Sequence, residues 1–299
     1  GGVMHGFQVF QSLWAMERRQ TDGIERALPE NIALIAGAGF DGVSAHYTDR
    51  AQVAALDRAL AGTGLGIEGV CFPRTVEDLR LPLELARDYP VRHITLQPDV
   101  RPRRVADCLP LLDGWMALAE AAGVPVLIET HRDRMTTDLF FTLDLLEARP
   151  DLPLLADLSH VLVGREFAMP VDAENHAMIG RILQNAWAFH ARVASREQVQ
   201  VEISFPHHRP LLDLFMGWWG QGFRDWRARA APGATLVCTC ELGPQPYAIA
   251  GPDGNDLFDR WAESQALAKM LCALWAEVAA EPMPSPRPPG PAAPRPRGA

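Results

Sequence analysis

Eight short β-rich runs alternate with eight longer helical runs along this chain, in strict order. The strand-like runs fall at 6–13, 40–46, 66–72, 92–97, 125–131, 152–158, 187–193 and 235–241. The helix-like runs fall at 29–38, 50–62, 76–89, 104–122, 137–147, 173–184, 210–230 and 256–280. Apolar spacing supports the helices. Val105, Leu109, Leu112, Met116, Leu118 and Ala119 recur mostly at steps of three and four, which places them on one helical face. Asp49 and Thr136 stand where a side-chain oxygen caps the helix that follows. Gly39, Gly64 and Gly123 stand at helix stops. Pro125 and Pro153 open strands, where a missing N–H is tolerated. Eight βα units with short connections predict a single (β/α)8 TIM barrel over 1–281. An open doubly wound sheet is the alternative, but no G-x-G-x-x-G follows the first strand. The remaining segment, 282–299, holds eight prolines among 18 residues and is expected to be a disordered Pro/Arg-rich tail.

Charge and composition narrow the function. The chain carries 28 basic and 37 acidic residues, a balance of −9. Three arginines and no acid lie in the last 18 residues, so the body carries 25 basic against 37 acidic groups, or −12. That is not the basic footprint of a nucleic-acid binder. Lys269 is the only lysine and lies in a helical run far from any Gly-rich loop, which excludes Schiff-base and phosphate-loop lysine chemistry. Five scattered cysteines read as reduced, mostly buried thiols. There is no apolar run long enough for a membrane helix and no signal-peptide pattern at the start. A cytoplasmic protein with no membrane partner is expected.

In a barrel of this kind, chemistry gathers at the C-terminal ends of the strands. The fifth to eighth strand-like runs end on Glu129, Asp157, His190 and Glu241. Three carboxylates converging with one imidazole repel one another unless a cation lies among them. An oxygen-rich set with one imidazole suits one divalent metal ion: Mn²⁺, Mg²⁺ or Co²⁺ first, Zn²⁺ or Fe²⁺ less well.

This run of Glu129, Asp157 with His160 three residues later, His190 and Glu241 resembles the xylose isomerase-like TIM-barrel superfamily, the sugar phosphate isomerase/epimerase family. The resemblance spans about residues 6 to 280. It implies that Glu129 and Glu241 serve both as metal ligands, with Asp157 and His190, and as an acid/base pair acting through an enediolate. It also implies that His160 and Arg196 contact the substrate. His46, Gln97 and Trp14, near other strand ends, are expected to join them, and Phe72 to help wall the pocket. The chain departs from the ketose 3-epimerase pattern in two places. Val193 to Gln198 replaces an Asp-x-x-x-Arg stretch, and Met135 stands where a second glutamate is usual. The apurinic endonuclease branch fits poorly, because Cys71 stands where a histidine is needed and no Asp-x-His follows His190. The expected function is therefore a metal-dependent isomerase or epimerase of carbohydrate metabolism, acting on a sugar or other polyhydroxylated or α-hydroxycarbonyl substrate. A dehydratase or lyase acting on an inosose or keto-sugar is the alternative within enzymes. A non-catalytic barrel acting as a binding partner is the alternative outside them. A homodimer is compatible with the sequence.

Overall fold

The computed structural model describes residues 4–19 and 22–283. Every expected strand forms: β1 Gly6–Ser12, β2 Gly42–His46, β3 Gly66–Cys71, β4 His93–Leu96, β5 Val126–Glu129, β6 Leu154–Ala156, β7 Ala186–Ala191 and β8 Thr235–Cys240. They pair in parallel, in chain order, into a closed barrel. Closure is made by β8 lying beside β1, in register from Gly6 opposite Thr235 to Gln11 opposite Cys240. The architecture is a (β/α)8 TIM barrel, as the alternation predicts. Two residues of the expected tail, Pro282 and Met283, are described; the rest, from 284, lies outside the described residues.

The outer layer comprises α1 Leu28–Gly37, α2 Arg50–Leu60, α3 Arg80–Asp88, α4 Val105–Ala122, α5 Leu139–Ala148, α6 Leu158–Gly164, α7 Ala173–Leu183, α8 Arg209–Arg229 and α9 Arg260–Ala280. Asp49 caps α2 by accepting from the Gln52 amide at 2.8 Å, a contact worth about 1 kcal/mol. The expected cap at Thr136 is wrong by two residues. Asp138 caps α5 instead, accepting from the Phe141 amide at 2.9 Å. The Thr136 hydroxyl has another partner: it donates to the Glu129 carbonyl at 2.8 Å and accepts from the His131 amide at 3.0 Å. It therefore ties down the chain just beyond β5. The expected helix at 76–89 begins as a short 3₁₀ turn, Glu77–Leu79, before α3.

A dense apolar layer between strands and helices fixes which strand face looks inward. Trp115, Phe215, Trp219 and Phe223 are fully buried there, and Trp218 nearly so, as the helical placement of Trp218 and Trp219 suggests. On β7, Phe189 points outward onto α8, its ring edge-on to Phe223 at 5.5 Å. A Cβ at Gly222 would stand 2.6 Å from the Phe189 ring, so only glycine lets α8 approach this closely. With Phe189 turned outward, the two-residue strand period turns His190 inward.

Candidate active site

Glu129 is the last residue of β5 and Asp157 the first after β6. His190 is near the end of β7, and Glu241 follows β8 directly. Adjacent pairing keeps these ends level. Glu129 is opposite Leu155 and His190 is opposite Thr239. Glu129, Asp157 and His190 are buried, and the Glu241 side chain is 12% exposed. His190 Nδ1 lies 2.5 Å from Glu129 Oε1 and 2.8 Å from Glu241 Oε2. Ligand atoms of Glu129, Asp157 and His190 all lie within 4.8 Å of one another, the scale of a single coordination sphere.

The donor set fits a cation. Both Glu129 carboxylate oxygens and His190 Nδ1 are buried with no aligned hydrogen-bond donor, although they sit in close contact. The charge count points the same way. Three buried carboxylates, Glu68, Glu129 and Asp157, and the partly buried Glu241 surround His190, with one guanidinium, Arg192, among them. Burial, reinforced by Glu241 and Asp157, outweighs His190 and raises Glu129 to about 7. Burial also raises Asp157, against the pull of Arg192. For Glu241 burial loses: His190 and Arg192 hold it down at about 2. The two glutamates share one imidazole, so the difference lies in Arg192, which bonds Glu241 and not Glu129.

Arg192, which follows β7 directly, lies at the centre of the site. It is 1% exposed. Its Nη2 donates to Glu241 Oε1 at 2.7 Å, its Nη1 to Asp157 Oδ2 at 3.2 Å and its Nε to Gln200 Oε1 at 3.2 Å. The guanidinium lies 5.0 Å from the Tyr247 ring centre and 5.7 Å from that of Trp14. Asp157 has a second duty as the N-cap of α6, accepting from the Ser159 amide at 3.1 Å.

A chamber of about 430 Å³ opens over Glu241. Trp14, His46, Phe72 and Gln97 line it, as expected, together with His131, Arg134 and Tyr247. Trp14 stands edge-on to Tyr247 at 5.0 Å, and His46 edge-on to Phe72 at 5.1 Å. A Cβ at Gly243 would fall 2.2 Å from the Trp14 ring. His160 is close to the cluster, its Nε2 3.6 Å from Asp157 Oδ2, but it does not line the chamber. His131 lies on it instead, ring centres 3.8 Å apart. Burial keeps both rings neutral, lowering His131 to about 4 and His160 well below the usual range. Arg196 is exposed on the loop after β7 and does not line the chamber.

Sequence reasoning did not single out Glu68 on β3 as a site residue. It is fully buried, with His190, His93, Thr95 and Thr239 around its carboxylate. Burial opposes its ionisation, but His190 and His93 prevail and hold it well below the usual carboxylate range. An acid inside the otherwise apolar Gly66–Cys71 run was the available signal.

No protein-family model matches this sequence, and no curated protein matches it. Solved structures do match in fold. One is a xylose isomerase-like TIM barrel protein from Mycobacterium smegmatis in complex with magnesium, at 11% identity and TM-score 0.56, over 91% of this chain and 100% of that one. A second is D-psicose 3-epimerase in the presence of D-fructose, at 13% and 0.53, over 92% and 100%. A third is the probable 3-DHS dehydratase AsbF of petrobactin synthesis from Bacillus anthracis, at 14% and 0.54, over 89% and 98%. The structural neighbours are thus xylose isomerase-like and sugar phosphate isomerase/epimerase barrels.

Proposed function

We propose that this chain is a divalent-metal-dependent isomerase or epimerase of a sugar or another polyhydroxylated or α-hydroxycarbonyl substrate. The observation that carries this reading is the placement of Glu129 Oε1 and Glu241 Oε2 at one imidazole nitrogen, 2.5 and 2.8 Å away, with no donor aligned on Glu129. Glu129, Asp157, His190 and Glu241 would hold the cation, with Mn²⁺, Mg²⁺ or Co²⁺ suiting the oxygen-rich set. When bound, it would acidify the C–H beside the substrate carbonyl and offset the negative charge that follows deprotonation.

The chain's own groups do the rest. One of Glu129 and Glu241 removes the proton, leaving an enediolate, and the other returns it to the opposite face or to the next carbon. Arg192 helps keep Glu241 ionised and holds the Glu241 and Asp157 carboxylates in place. Trp14, Tyr247 and Phe72 give flat apolar walls, and His46, Gln97 and His131 offer polar contacts to hydroxyls. His160 supports His131 from behind.

Metal-loaded protein should be assayed on keto-sugars, inososes and hydroxypyruvate, with exchange of the substrate C–H followed in D₂O. Exchange with an isomerised or epimerised product supports the reading. A protein that binds no stoichiometric cation and exchanges no substrate proton overturns it. One feature favours the dehydratase alternative. Leu28, Leu56, Val70 and Phe72 form an apolar flank to the chamber, which suits a ring with few hydroxyls on one face. Loss of water from an inosose or keto-sugar in the same panel would select it. The body charge of −12 argues against a nucleic-acid substrate.

A further inference from the structure

Glu68 lies on the opposite edge of the His190 ring from Glu129 and Glu241. Its carboxylate is completely buried and reaches donors on three other strands. His190 Nε2 lies 3.0 and 2.9 Å from its two oxygens. His93 Nε2 is 2.9 Å away, and the Thr95 and Thr239 hydroxyls donate at 2.7 and 3.1 Å. An ionised carboxylate only accepts, so every one of these partners must present a hydrogen. For His190 that hydrogen sits on Nε2. A neutral ring protonated there has its lone pair on Nδ1, and Nδ1 is the atom facing Glu129 Oε1 and Glu241 Oε2. Three electron-rich atoms are then turned on one point.

We infer that Glu68 is a positioning residue, which holds the His190 proton on Nε2 and thereby commits the Nδ1 lone pair to the cation site between Glu129 and Glu241. This rests on the metal-dependent reading above. Glu68 touches neither the chamber nor the cation; it acts through the imidazole, as a carboxylate behind a ligating histidine does. His93, Thr95 and Thr239 in turn fix the Glu68 carboxylate, so its orientation is set by β4 and β8 as well as by β3.

Two measurements on the full chain test this. Long-range ¹H–¹⁵N correlation NMR of the Zn²⁺-loaded wild type should find His190 protonated at Nε2 and metal-bound through Nδ1. A ring protonated at Nδ1 overturns the inference, with no variant needed. Calorimetric titration with Mn²⁺ should then find Glu68→Gln weakened about 10–100-fold. A purely structural Glu68 would lower the melting temperature and leave Mn²⁺ affinity unchanged, and that outcome overturns the inference while the metal reading stands. A wild type that binds no Mn²⁺ overturns the metal reading itself.

Discussion

The two halves of the barrel mouth are built from different materials. The half made by β5 to β8 carries Glu129, Asp157, His190, Arg192 and Glu241, a buried knot of charge. The half made by β1 to β4 carries Trp14, His46, Phe72 and Gln97, which are neutral or apolar and line open space. Both halves close over one chamber, and burial explains the contrast. Charges taken out of water need partners on every side, and the adjacent ends of β5 to β8 supply them for one another. Rings that recognise a substrate need a free face, so they stand where the wall recedes. On the proposed function, the charged half would carry the reaction, and the rings of the other half, with His131 and Tyr247 from across the mouth, would carry selection.

The largest expected effects fall on the charged half. Glu129→Gln or Glu241→Gln should each lower turnover by about 10²–10⁴-fold, the range of a lost general acid or base, while some metal binding survives. Near-native turnover in either variant would reduce that glutamate to a ligand. Arg192→Met should leave Asp157 and Glu241 facing each other unpaired, destabilising the fold by roughly 3–5 kcal/mol. Urea unfolding of the chelator-treated variant measures it, and an unchanged midpoint would deny the guanidinium its bridging role.

Removing the cation should act on stability too. A ligand that binds the native state alone at 100 times its dissociation constant stabilises by about 2.7 kcal/mol, so EDTA should lower the melting temperature by several degrees. On the recognition half, Gly243→Ala should push Trp14 from the Tyr247 edge. Over-packing costs about 1–3 kcal/mol, which should raise KM with kcat and metal content nearly intact. If kcat falls instead, the division between the halves is wrong.

The smallest effect is a pH limb. His131 and His160 have folded pKa values below the ordinary 6.5, with His131 at about 4. The unfolded chain therefore takes up protons first as pH falls, and stability is lost from about pH 6.5 towards 4. His131→Phe should flatten that limb in unfolding midpoints taken across the range, whereas Arg196→Ala should change nothing.

Much of this was open to reading from the residues. Short β-rich runs in strict alternation with longer helical runs located all eight strands, and three carboxylates with one histidine at successive strand ends located the charged knot. Other features were hidden for physical reasons. α6 is only seven residues long and continues the apolar run of β6, so no change of period announces it. Thr136 has the chemistry of a cap, but Asp138 lies at the true helix start. Arg196 and Arg192 differ by four residues on one loop, and spacing alone does not show which turns inward. Glu68 pairs with side chains distant in sequence, and only barrel closure brings His190 to it.

That closure also sets the order in which the site can come into being. β8, the last of the barrel strands in chain order, both zips against β1 and delivers Glu241. A chain ending after β7 has Glu129, Asp157 and His190 but not Glu241, and its first strand has β2 as a partner on one side and none on the other. Long-range pairing of this kind is slow, so Glu241 joins the other three proposed ligands only when the ring closes. On the proposed reading, a rise in metal affinity would report that closing step.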